Sequence, residues 1–458
     1  MRLVLLSGGS GKRLWPLSND SRSKQFLKTL KSSDNEWESM LQRVWRQLGQ
    51  QGLQRQTYIS CSQSHAEMIH NQIGYDVTLI VEPEKRDTFP AICLAASFFS
   101  TKMGLDRDEV ITVMPVDPFV DLDFFECVRN MDEVLYESGA DLALIGGIPT
   151  YASEKYGYIV PVKQINQATV YQRVLRFKEK PSPSEAALLI KQGALWNCGI
   201  FSFRLGYLLD LFEKRGWPTD FAELCSVYDR LPKISFDYEV VEKARYVVVL
   251  PYAGRWSDLG TWSSMTAHME TKLIGKGFVS EDCKDTHLIN ELDIPIAVLG
   301  VSDMVVAASP DGILVADKKV SHRIKDIHHI EQRPMFEERR WGAYRVLDYQ
   351  RMEDGTEFLT KRLQLLAGRN LSYQYHLLRS EIWTVVAGNG EFVLDGKSMR
   401  LGPGDVVKIS AGAKHGIKAL TDLEIIEVQM GTRLIEEDIT RLYFSWDELM
   451  HSLQKTAD

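Results

Sequence analysis

The sequence predicts a chain of three parts, the first of which is an α/β domain with a parallel sheet. Up to about residue 265, short apolar runs alternate with longer helical patterns, as strands alternate with crossover helices. Beyond that point, short β-type runs are separated by Asp, Gly and Ser turns. We therefore expect the α/β domain at residues 1–265, a β-rich connector and linker at 266–335, and an all-β module at 336–458.

The apolar runs of the first part predict buried strands whose ends share one edge of the sheet. These runs are Leu3–Leu6, Thr57–Ser60, Val77–Val81, Val110–Met114 and Leu142–Gly146, and Ala91–Lys102 predicts a helix. Open sheets of this kind bind ligands at the carboxyl ends of their strands. We therefore expect the loops 8–13 and 82–90 to meet Asp117 in one crevice.

Later runs predict the connector strands at Pro295–Val301, Met304–Ala307 and Gly312–Val315. The stretch 331–340 is polar and charged, which indicates a linker before the last part.

Charge and composition exclude several classes of partner. The formal net charge of −8 argues against nucleic acid or an anionic membrane, because both favour a basic surface. No apolar stretch approaches the roughly 18 residues of a spanning helix, and the N-terminus lacks a signal-peptide pattern. The six cysteines form no CxxC pair, which favours reduced thiols. We expect a cytoplasmic protein.

Residues 7–16, SGGSGKRLWP, form a glycine-rich loop directly after the first apolar run. Glycines allow the backbone to turn its N–H groups onto anionic oxygens, and the basic side chains add charge. The spacing matches neither a Walker A loop nor a dinucleotide fingerprint. We expect a nucleoside triphosphate to bind here, in contact with Leu6, Gly8, Gly9, Gly11, Lys12 and Arg13.

Eight segments resemble, in the same order, the motifs of sugar nucleotidyltransferases, and in particular of mannose-1-phosphate guanylyltransferases. They are GGSGKRLWPLS with Lys24-Gln25-Phe26, EPEKRDTFPAI (82–92), MPVD (114–117), YGYI (156–159), FKEKP (177–181), WNCGIF (196–201), FDYEVVE (236–242) and WSDLGTW (256–262). The resemblance implies a Rossmann-like, GT-A-like nucleotidyltransferase domain. It also implies that GTP and α-D-mannose 1-phosphate react to GDP-mannose and diphosphate with Mg²⁺.

The resemblance assigns the catalytic roles to four charged residues. Asp117 and Asp258 match the magnesium aspartates, and Mg²⁺ prefers carboxylate and phosphate oxygens. Arg13 would face the β- and γ-phosphates, and Lys24 would bridge phosphates nearby. Two anionic substrates repel each other, so the reaction requires alignment and neutralisation of charge more than acid–base chemistry.

Further positions match the family's base and sugar pockets. Glu82 and Arg86 lie in the loop near the base, where a carboxylate can accept from guanine N–H groups. Glu179 would accept from sugar hydroxyls and Lys180 would hold the sugar phosphate. The implied sugar-phosphate residues are Gly147, Gly157, Glu179, Lys180 and Asn197, with Asp237 and Glu242 as weaker candidates.

Four positions beside the implied site depart from the family pattern. Lys12 replaces threonine, Ser23 replaces proline, Asp87 replaces asparagine, and Pro118 replaces histidine. None of these changes removes a required charge. Lys12 adds a cation, which could tighten triphosphate binding or slow the release of diphosphate.

The last part carries residues that resemble the two metal motifs of a cupin barrel, with glutamine in place of the first histidine. The motif residues are Gln374, His376, Glu381, Gly388, Gly404, Gly412 and His415. Such nitrogen and oxygen ligands could surround one divalent ion, namely Zn, Fe or Mn. In the family this barrel is associated with mannose-6-phosphate isomerase activity.

The barrel departs from its bifunctional relatives where isomerase chemistry requires extra acid–base groups. Those relatives have roughly QMHHHRAEHW, whereas residues 374–383 are QYHLLRSEIW. Arg379 is retained, but Leu377, Leu378 and Ile382 replace histidines. We expect isomerase activity to be lost or weak and the barrel to serve packing or the formation of a homodimer.

Three alternatives stay open. The chain could be bifunctional, with an active isomerase barrel, or it could use another nucleotide and another sugar 1-phosphate. A non-catalytic sensor of sugar nucleotides is the third, against which the presence of Asp117 and Asp258 argues.

Overall fold

The computed structural model describes residues 1–9, 12–19, 22–162, 169–327, 333–435 and 438–457. Its first part contains ten α-helices among the described residues: α1 (Met40–Gln50), α2 (Gln63–Ile73), α3 (Thr88–Ser97), α4 (Phe124–Arg129), α5 (Met131–Ser138), α6 (Pro183–Lys191), α7 (Leu205–Arg215), α8 (Phe221–Ser226), α9 (Phe236–Glu239) and α10 (Trp262–Thr266). Its strands are β1 (Arg2–Leu6), β2 (Leu30–Lys31), β3 (Trp37–Glu38), β4 (Thr57–Ser62), β5 (Thr78–Glu82), β6 (Val110–Pro115), β7 (Pro118–Val120), β8 (Leu142–Gly147), β9 (Tyr158–Pro161), β10 (Gln172–Lys178), β11 (Leu195–Arg204), β12 (Val247–Tyr252) and β13 (Trp256–Asp258).

Nine of these strands form one mixed sheet in the order β5-β4-β1-β6-β11-β8-β12-β10-β9. The first four are parallel, as predicted, and β12 runs parallel to β8. The expectation of parallel strands was wrong for β11, which runs antiparallel between β6 and β8, and for β10, which is antiparallel to both neighbours. A buried apolar run predicts a strand but contains no signal for its direction.

Alternate residues of the central strands face two separate hydrophobic cores. In β1, Leu3 and Leu5 pack with the buried faces of α1 and α2, whereas Val4 packs with α3. Successive side chains of a strand point to opposite faces, so both faces of the sheet are covered. This packing holds the strand ends, and therefore the loops that follow them, in place.

The connector is a short parallel β-helix. Its strands are β14 (Leu273–Gly275), β15 (Gly277–Val279), β16 (His287–Asn290), β17 (Ile296–Val298), β18 (Met304–Ser309) and β19 (Gly312–Asp317). β14, β16 and β18 stack in parallel on one side, and β15 and β17 pair in parallel on another. The runs predicted as strands are strands, but their stacking was not predicted, since strands of three to six residues contain no signal for a partner.

The last part is a two-sheet β-barrel. Its elements are β20 (Phe336–Arg339), β21 (Gly342–Arg351), β22 (Glu357–Leu365), β23 (Tyr373–Tyr375), β24 (Arg379–Ala387), β25 (Gly390–Leu394), β26 (Lys397–Leu401), β27 (Val406–Ile409), β28 (His415–Ala419), β29 (Leu423–Gly431), β30 (Thr440–Tyr443) and α11 (Trp446–Ala457). Six strands and five strands form the two sheets, with Trp383, Phe392 and Ile425 buried in the core. The exact domain boundaries stay a prediction.

The stretch predicted as a linker contains the first barrel strand. Phe336–Arg339 forms β20 and pairs antiparallel with Gly342–Arg345. Its charges are paired within the fold, since Glu337 is buried and forms an ion pair with Arg339. The prediction of a linker from polar composition was therefore wrong for Phe336–Arg339. Residues 331 and 332 lie outside the described part.

All six cysteines are free thiols, as the spacing predicted. Within the described ranges, none of the helices has the length and apolarity needed to cross a membrane.

Alanine at Gly388 should destabilise the barrel more than alanine at Gly404. Gly388 has a φ of +80°, and a Cβ there would lie 2.0 Å from the carbonyl oxygen of Asp422. Gly404 has a φ of +92° but no atom within 4 Å of a Cβ, so it is the matched control. Left-handed backbone costs each variant about 1–2 kcal/mol, and the clash adds roughly 1–3 kcal/mol to Gly388→Ala. Calorimetric melting measures this, and equal losses of Tm would contradict it.

Candidate active site

The parallel strands bring the predicted loops to one edge of the sheet. β1, β5 and β6 end at this edge, and the Ser7 N–H donates to the Ser60 carbonyl at 2.8 Å to continue the pairing. Gly9 is exposed with a φ of +121°, a conformation that favours glycine. A Cβ on Gly8 would lie 3.9 Å from Oε1 of Glu82. We call residues 7–26 the signature loop.

Lys24 joins the two predicted metal aspartates. Its Nζ lies 2.5 Å from Oδ2 of Asp117 and 3.2 Å from Oδ1 of Asp258. Asp117 directly precedes β7, and Asp258 ends β13, which pairs with β7 so that Asp258 stands opposite Pro118. A Cβ at Gly260 would lie 2.8 Å from Oδ2 of Asp258, so the glycine of WSDLGTW leaves room for this carboxylate.

Lys24 is held as a cation by its two neighbours. Burial alone would lower its pKa, but the charges and hydrogen bonds of Asp117 and Asp258 outweigh burial and raise the pKa above the ordinary lysine value. Two carboxylates that share one ammonium are also the oxygen ligands that Mg²⁺ prefers. The residues present therefore fit a divalent cation.

The rest of the basic loop is only partly described. Gly11 lies outside the described residues, and Lys12 begins a short 3₁₀ turn that ends at Leu14. Arg13 is exposed and makes no hydrogen bond or ion pair with another described residue. Its guanidinium is thus free to meet an anion at the rim.

The two residues predicted to lie near the base, Glu82 and Arg86, form hydrogen bonds within the protein. Glu82 is buried and accepts from the hydroxyls of Tyr228 at 3.0 Å and Ser60 at 3.4 Å. Burial raises the pKa of Glu82 despite these bonds. Arg86 donates to the Leu231 carbonyl at 2.7 Å and pairs with Glu84. The structure brings Glu82 beside the signature loop, whereas Arg86 supports the neighbouring segment.

The predicted sugar residues form a second polar cluster. Lys180 Nζ lies 2.6 Å from Oε1 of Glu179, and Nδ2 of Asn197 donates to Asp237 at 2.6 Å. Oε2 of Glu179 is buried and has no hydrogen-bond partner in the described residues. A Cβ on Gly157 would lie 2.4 Å from this same oxygen. The cluster therefore offers a polar atom that a ligand hydroxyl can satisfy.

Asp237 joins this cluster more closely than the sequence indicated. Burial and the nearby Glu179 raise its pKa to about 6. Gly147 lies close by in β8, where a Cβ would meet Sγ of Cys198 at 3.2 Å. Glu242 is exposed on the turn after α9, and among the described residues no hydrogen bond or ion pair joins it to the cluster.

Sequence reasoning missed four aromatic residues that adjoin Asn197 on one side and Asp258 on the other. Trp196 contacts Tyr151 and Tyr156 at centroid distances of 5.0 and 5.1 Å, and Trp256 contacts Tyr156 at 5.2 Å. The indole N–H groups of Trp196 and Trp256 are buried without a partner among described residues. The signal was present, since both tryptophans begin motifs that were singled out for their polar residues.

His65 was also missed, and it holds the two ends of the signature loop together. Its Nδ1 donates to the Ser7 carbonyl at 3.1 Å, so Nε2 can accept from the Ser23 hydroxyl at 3.0 Å. Burial lowers the pKa of His65 to about 4, which keeps the ring neutral. No local pattern marks this histidine, because its partners lie far away in the sequence.

The barrel brings three of its four predicted metal ligands together. Ligand atoms of His376, Glu381 and His415 lie within 4.8 Å of one another. Gln374 lies beside them, but it presents Nε2 to His376 at 3.4 Å and its oxygen accepts from Ser372. A half-turn of the amide would present the oxygen instead.

Both histidines are oriented as metal ligands require. His376 Nδ1 donates to the Asp438 carbonyl at 2.5 Å, and His415 Nδ1 donates to the Ala413 carbonyl at 3.0 Å. Burial and the charge of the nearby arginine lower the pKa of His376 to about 4. Nε2 of His415 is buried without a hydrogen-bond partner in the described part. These Nδ1 bonds orient Nε2 of both rings toward Glu381, at 3.3 Å for His376 and 3.5 Å for His415, which fits a divalent metal. Nε2 of His376 also faces Nη2 of Arg379 at 3.4 Å.

Two of the three residues that replace the family's histidines are exposed leucines that follow His376 in the chain. Leu377 and Leu378 are 66% and 44% exposed. Ile382, in contrast, lies between the inward-facing Glu381 and Trp383 on β24 and so faces away from the pocket. The argument from Ile382 to lost isomerase activity was therefore wrong. Arg379 is buried and donates to Oε1 of Glu381 at 2.9 Å.

Known families match consecutive parts of the chain. A nucleotidyl transferase family matches residues 2–273, a family described as a MannoseP isomerase/GMP-like beta-helix domain matches 282–329, and a mannose-6-phosphate isomerase C-terminal family matches 325–443. A solved structure from Thermus thermophilus, described as mannose-1-phosphate geranyltransferase, has a TM-score of 0.60 at 29% identity. The match covers 71% of this chain and 97% of that chain.

Fold and site together define a nucleotidyltransferase, and the matching family spans more than half of the chain. The mannose-1-phosphate guanylyltransferases of Salmonella muenchen and Escherichia coli K12 are 30% and 31% identical, over 96% of this chain and 97% of each relative. The alginate biosynthesis protein AlgA of Pseudomonas aeruginosa is 29% identical over 96% of this chain and 95% of its own length. The chain belongs to the mannose-1-phosphate guanylyltransferase family.

His415→Ala should remove divalent metal from the barrel. The full chain, stripped with a chelator and reloaded with Zn²⁺, is expected to retain about one ion through gel filtration. The variant should retain much less, because one of three converging ligands is gone. His451→Ala removes an exposed histidine of α11 and is the control. Mass spectrometry of the metal content measures this, and equal zinc in all three proteins would contradict it.

Proposed function

We propose that the chain transfers GMP from GTP to α-D-mannose 1-phosphate and releases diphosphate. The observation that carries this proposal is the contact of Lys24, within the signature loop, with Asp117 and Asp258. An oxygen of the sugar phosphate forms the new bond to the α-phosphorus of GTP. The bond between this phosphorus and the oxygen that bridges the α- and β-phosphates breaks. Diphosphate leaves with the electron pair of the broken bond.

Asp117 and Asp258 would hold Mg²⁺, which neutralises the triphosphate and the developing charge when bound. The ammonium of Lys24 lies within reach of both carboxylates. The same ammonium can form an ion pair with a phosphate oxygen of the nucleotide. Arg13, free at the rim, is suited to the departing diphosphate. These residues align and neutralise two anions, which is most of what the reaction requires.

The sugar is assigned to the cluster around Glu179, and the base is assigned to Glu82 beside the signature loop. The unpartnered Oε2 of Glu179 is suited to a sugar hydroxyl, and Lys180 beside it is suited to the phosphate. Glu82 is the candidate for guanine, since a carboxylate accepts about four hydrogen bonds and two come from Ser60 and Tyr228.

An isomerase in the barrel is the second candidate function, favoured by the converging His376, Glu381 and His415. Leu377 and Leu378, which follow His376, are exposed and stand in place of groups that could move a proton. Metal ligands alone do not supply the base that the reaction requires. We therefore propose a metal-binding barrel with weak isomerase activity or none.

Asp117→Asn and Asp258→Asn should each lower kcat/KM for GDP-mannose synthesis by about 100-fold or more, because a charged metal ligand is lost. Asp121→Asn is the matched control, since Asp121 lies just beyond β7 and pairs with exposed Arg255. Melting temperatures should stay near the parent value. Near-normal turnover in both site variants would exclude these aspartates from the metal role.

A matrix of four nucleoside triphosphates against several sugar 1-phosphates should show GTP with mannose 1-phosphate as the preferred pair. A coupled assay should show little conversion of fructose 6-phosphate to mannose 6-phosphate. Preference for another pair would contradict the proposed substrates. A robust isomerase rate that His415→Ala abolishes would instead show that the barrel is catalytic.

A further inference from the structure

Arg22 connects the end of the signature loop to both later parts of the chain. Its side chain is 10% exposed, and Nη1 donates to both carboxylate oxygens of Glu291 at 3.0 and 2.8 Å. Nε lies 4.0 Å from Oε1 of Glu338, and the guanidinium lies over the ring of Phe336. Glu291 follows β16 of the β-helix, and Glu338 and Phe336 belong to barrel strand β20.

A second set of contacts involves Asn19, which is hydrogen-bonded to Arg22 within the signature loop. The Arg22 N–H donates to Oδ1 of Asn19 at 2.7 Å, and the Asn19 N–H donates back to the Arg22 carbonyl at 3.0 Å. Nδ2 of Asn19 donates to Asp311 of the β-helix at 2.6 Å, and Asp311 also accepts from the Met335 N–H at 2.6 Å. The turn is thus tied to the point where the β-helix meets the barrel.

The first half of the loop also lies on the β-helix. The hydroxyl of Ser309 donates to the Pro16 carbonyl at 2.6 Å. Trp15 covers Gly312, where a Cβ would lie 2.5 Å from the indole ring. Contacts at Trp15, Pro16, Asn19 and Arg22 therefore attach the signature loop to residues far along the chain.

These contacts end two residues before Lys24. Arg22 is followed by Ser23, which bonds to His65 as described above, and then by Lys24. A backbone fixed at Arg22 and Ser23 restricts where the lysine side chain can begin. Its ammonium must nevertheless reach both metal aspartates.

We propose that Arg22, through Glu291 of the β-helix and strand β20 of the barrel, positions Lys24 for nucleotidyl transfer. The barrel then contributes to the transferase reaction without chemistry of its own, which is a role that does not depend on isomerase activity. This inference rests on the proposed transferase function. Arg22 is a positioning residue, because it touches the two later parts and not the reacting groups.

The test compares Arg22→Gln, Glu291→Gln and Arg345→Gln in the full chain. Arg345 pairs with Asp293 at 2.9 Å and so joins the same barrel to the same β-helix without touching the loop. Arg22→Gln and Glu291→Gln should lower kcat about 10- to 100-fold while KM for mannose 1-phosphate changes less than about twofold, because the misplaced group acts in the transition state. Arg345→Gln should stay close to the parent in both constants, and Arg22→Lys should recover part of the rate by restoring one charge.

Each outcome decides the proposal. Combined Arg22→Gln and Glu291→Gln should lose no more rate than either single variant, because both break one interaction. Parent-like kcat in Arg22→Gln, or equal losses in Arg22→Gln and Arg345→Gln, would overturn the positioning role. If Arg22→Gln does not fold, Arg22→Lys and Glu291→Gln give the same comparison. Absence of GDP-mannose synthesis by the parent chain would count against the proposed function instead.

Discussion

One ammonium between two carboxylates sets the geometry of the candidate transferase site. Asp117 and Asp258 come from distant segments, and like charges brought this close repel unless a cation compensates them. The pairing of β7 with β13 brings their backbones together, and Gly260 leaves room for one carboxylate. Lys24 then supplies the charge. The same concentration of negative charge suits a divalent cation, and the same lysine is available to a phosphate.

The requirements on this lysine extend beyond its own domain. A flexible side chain can meet two fixed carboxylates only if its backbone is also fixed. The signature loop is anchored by buried Leu14 and Leu17, which pack in one cluster with residues of the β-helix. Polar contacts to distant residues add to this packing: His65 beneath the loop, Glu291 and Asp311 on the β-helix, and strand β20 of the barrel. In this account the barrel helps to position Lys24, whether or not its metal cluster catalyses a reaction.

Local features of the fold could be predicted from the sequence, and features that depend on distant partners could not. Buried runs predicted strand positions, and the order of the motifs predicted Asp117, Asp258 and the glycine loop. The direction of β11, the stacked β-helix and the burial of β20 depend on partners far along the chain. Ile382 is a different case, because the alternation of β24 already indicated that it faces away from Glu381.

The most direct measurement is a crystal structure of the full chain with a non-hydrolysable GTP analogue, with Mn²⁺ in place of Mg²⁺ to give an anomalous signal. The account predicts one manganese peak at about 2.1 Å from oxygens of both Asp117 and Asp258. It also predicts the triphosphate along the signature loop, with Lys24 on a phosphate oxygen. A nucleotide bound elsewhere, or a metal that touches neither aspartate, would contradict it.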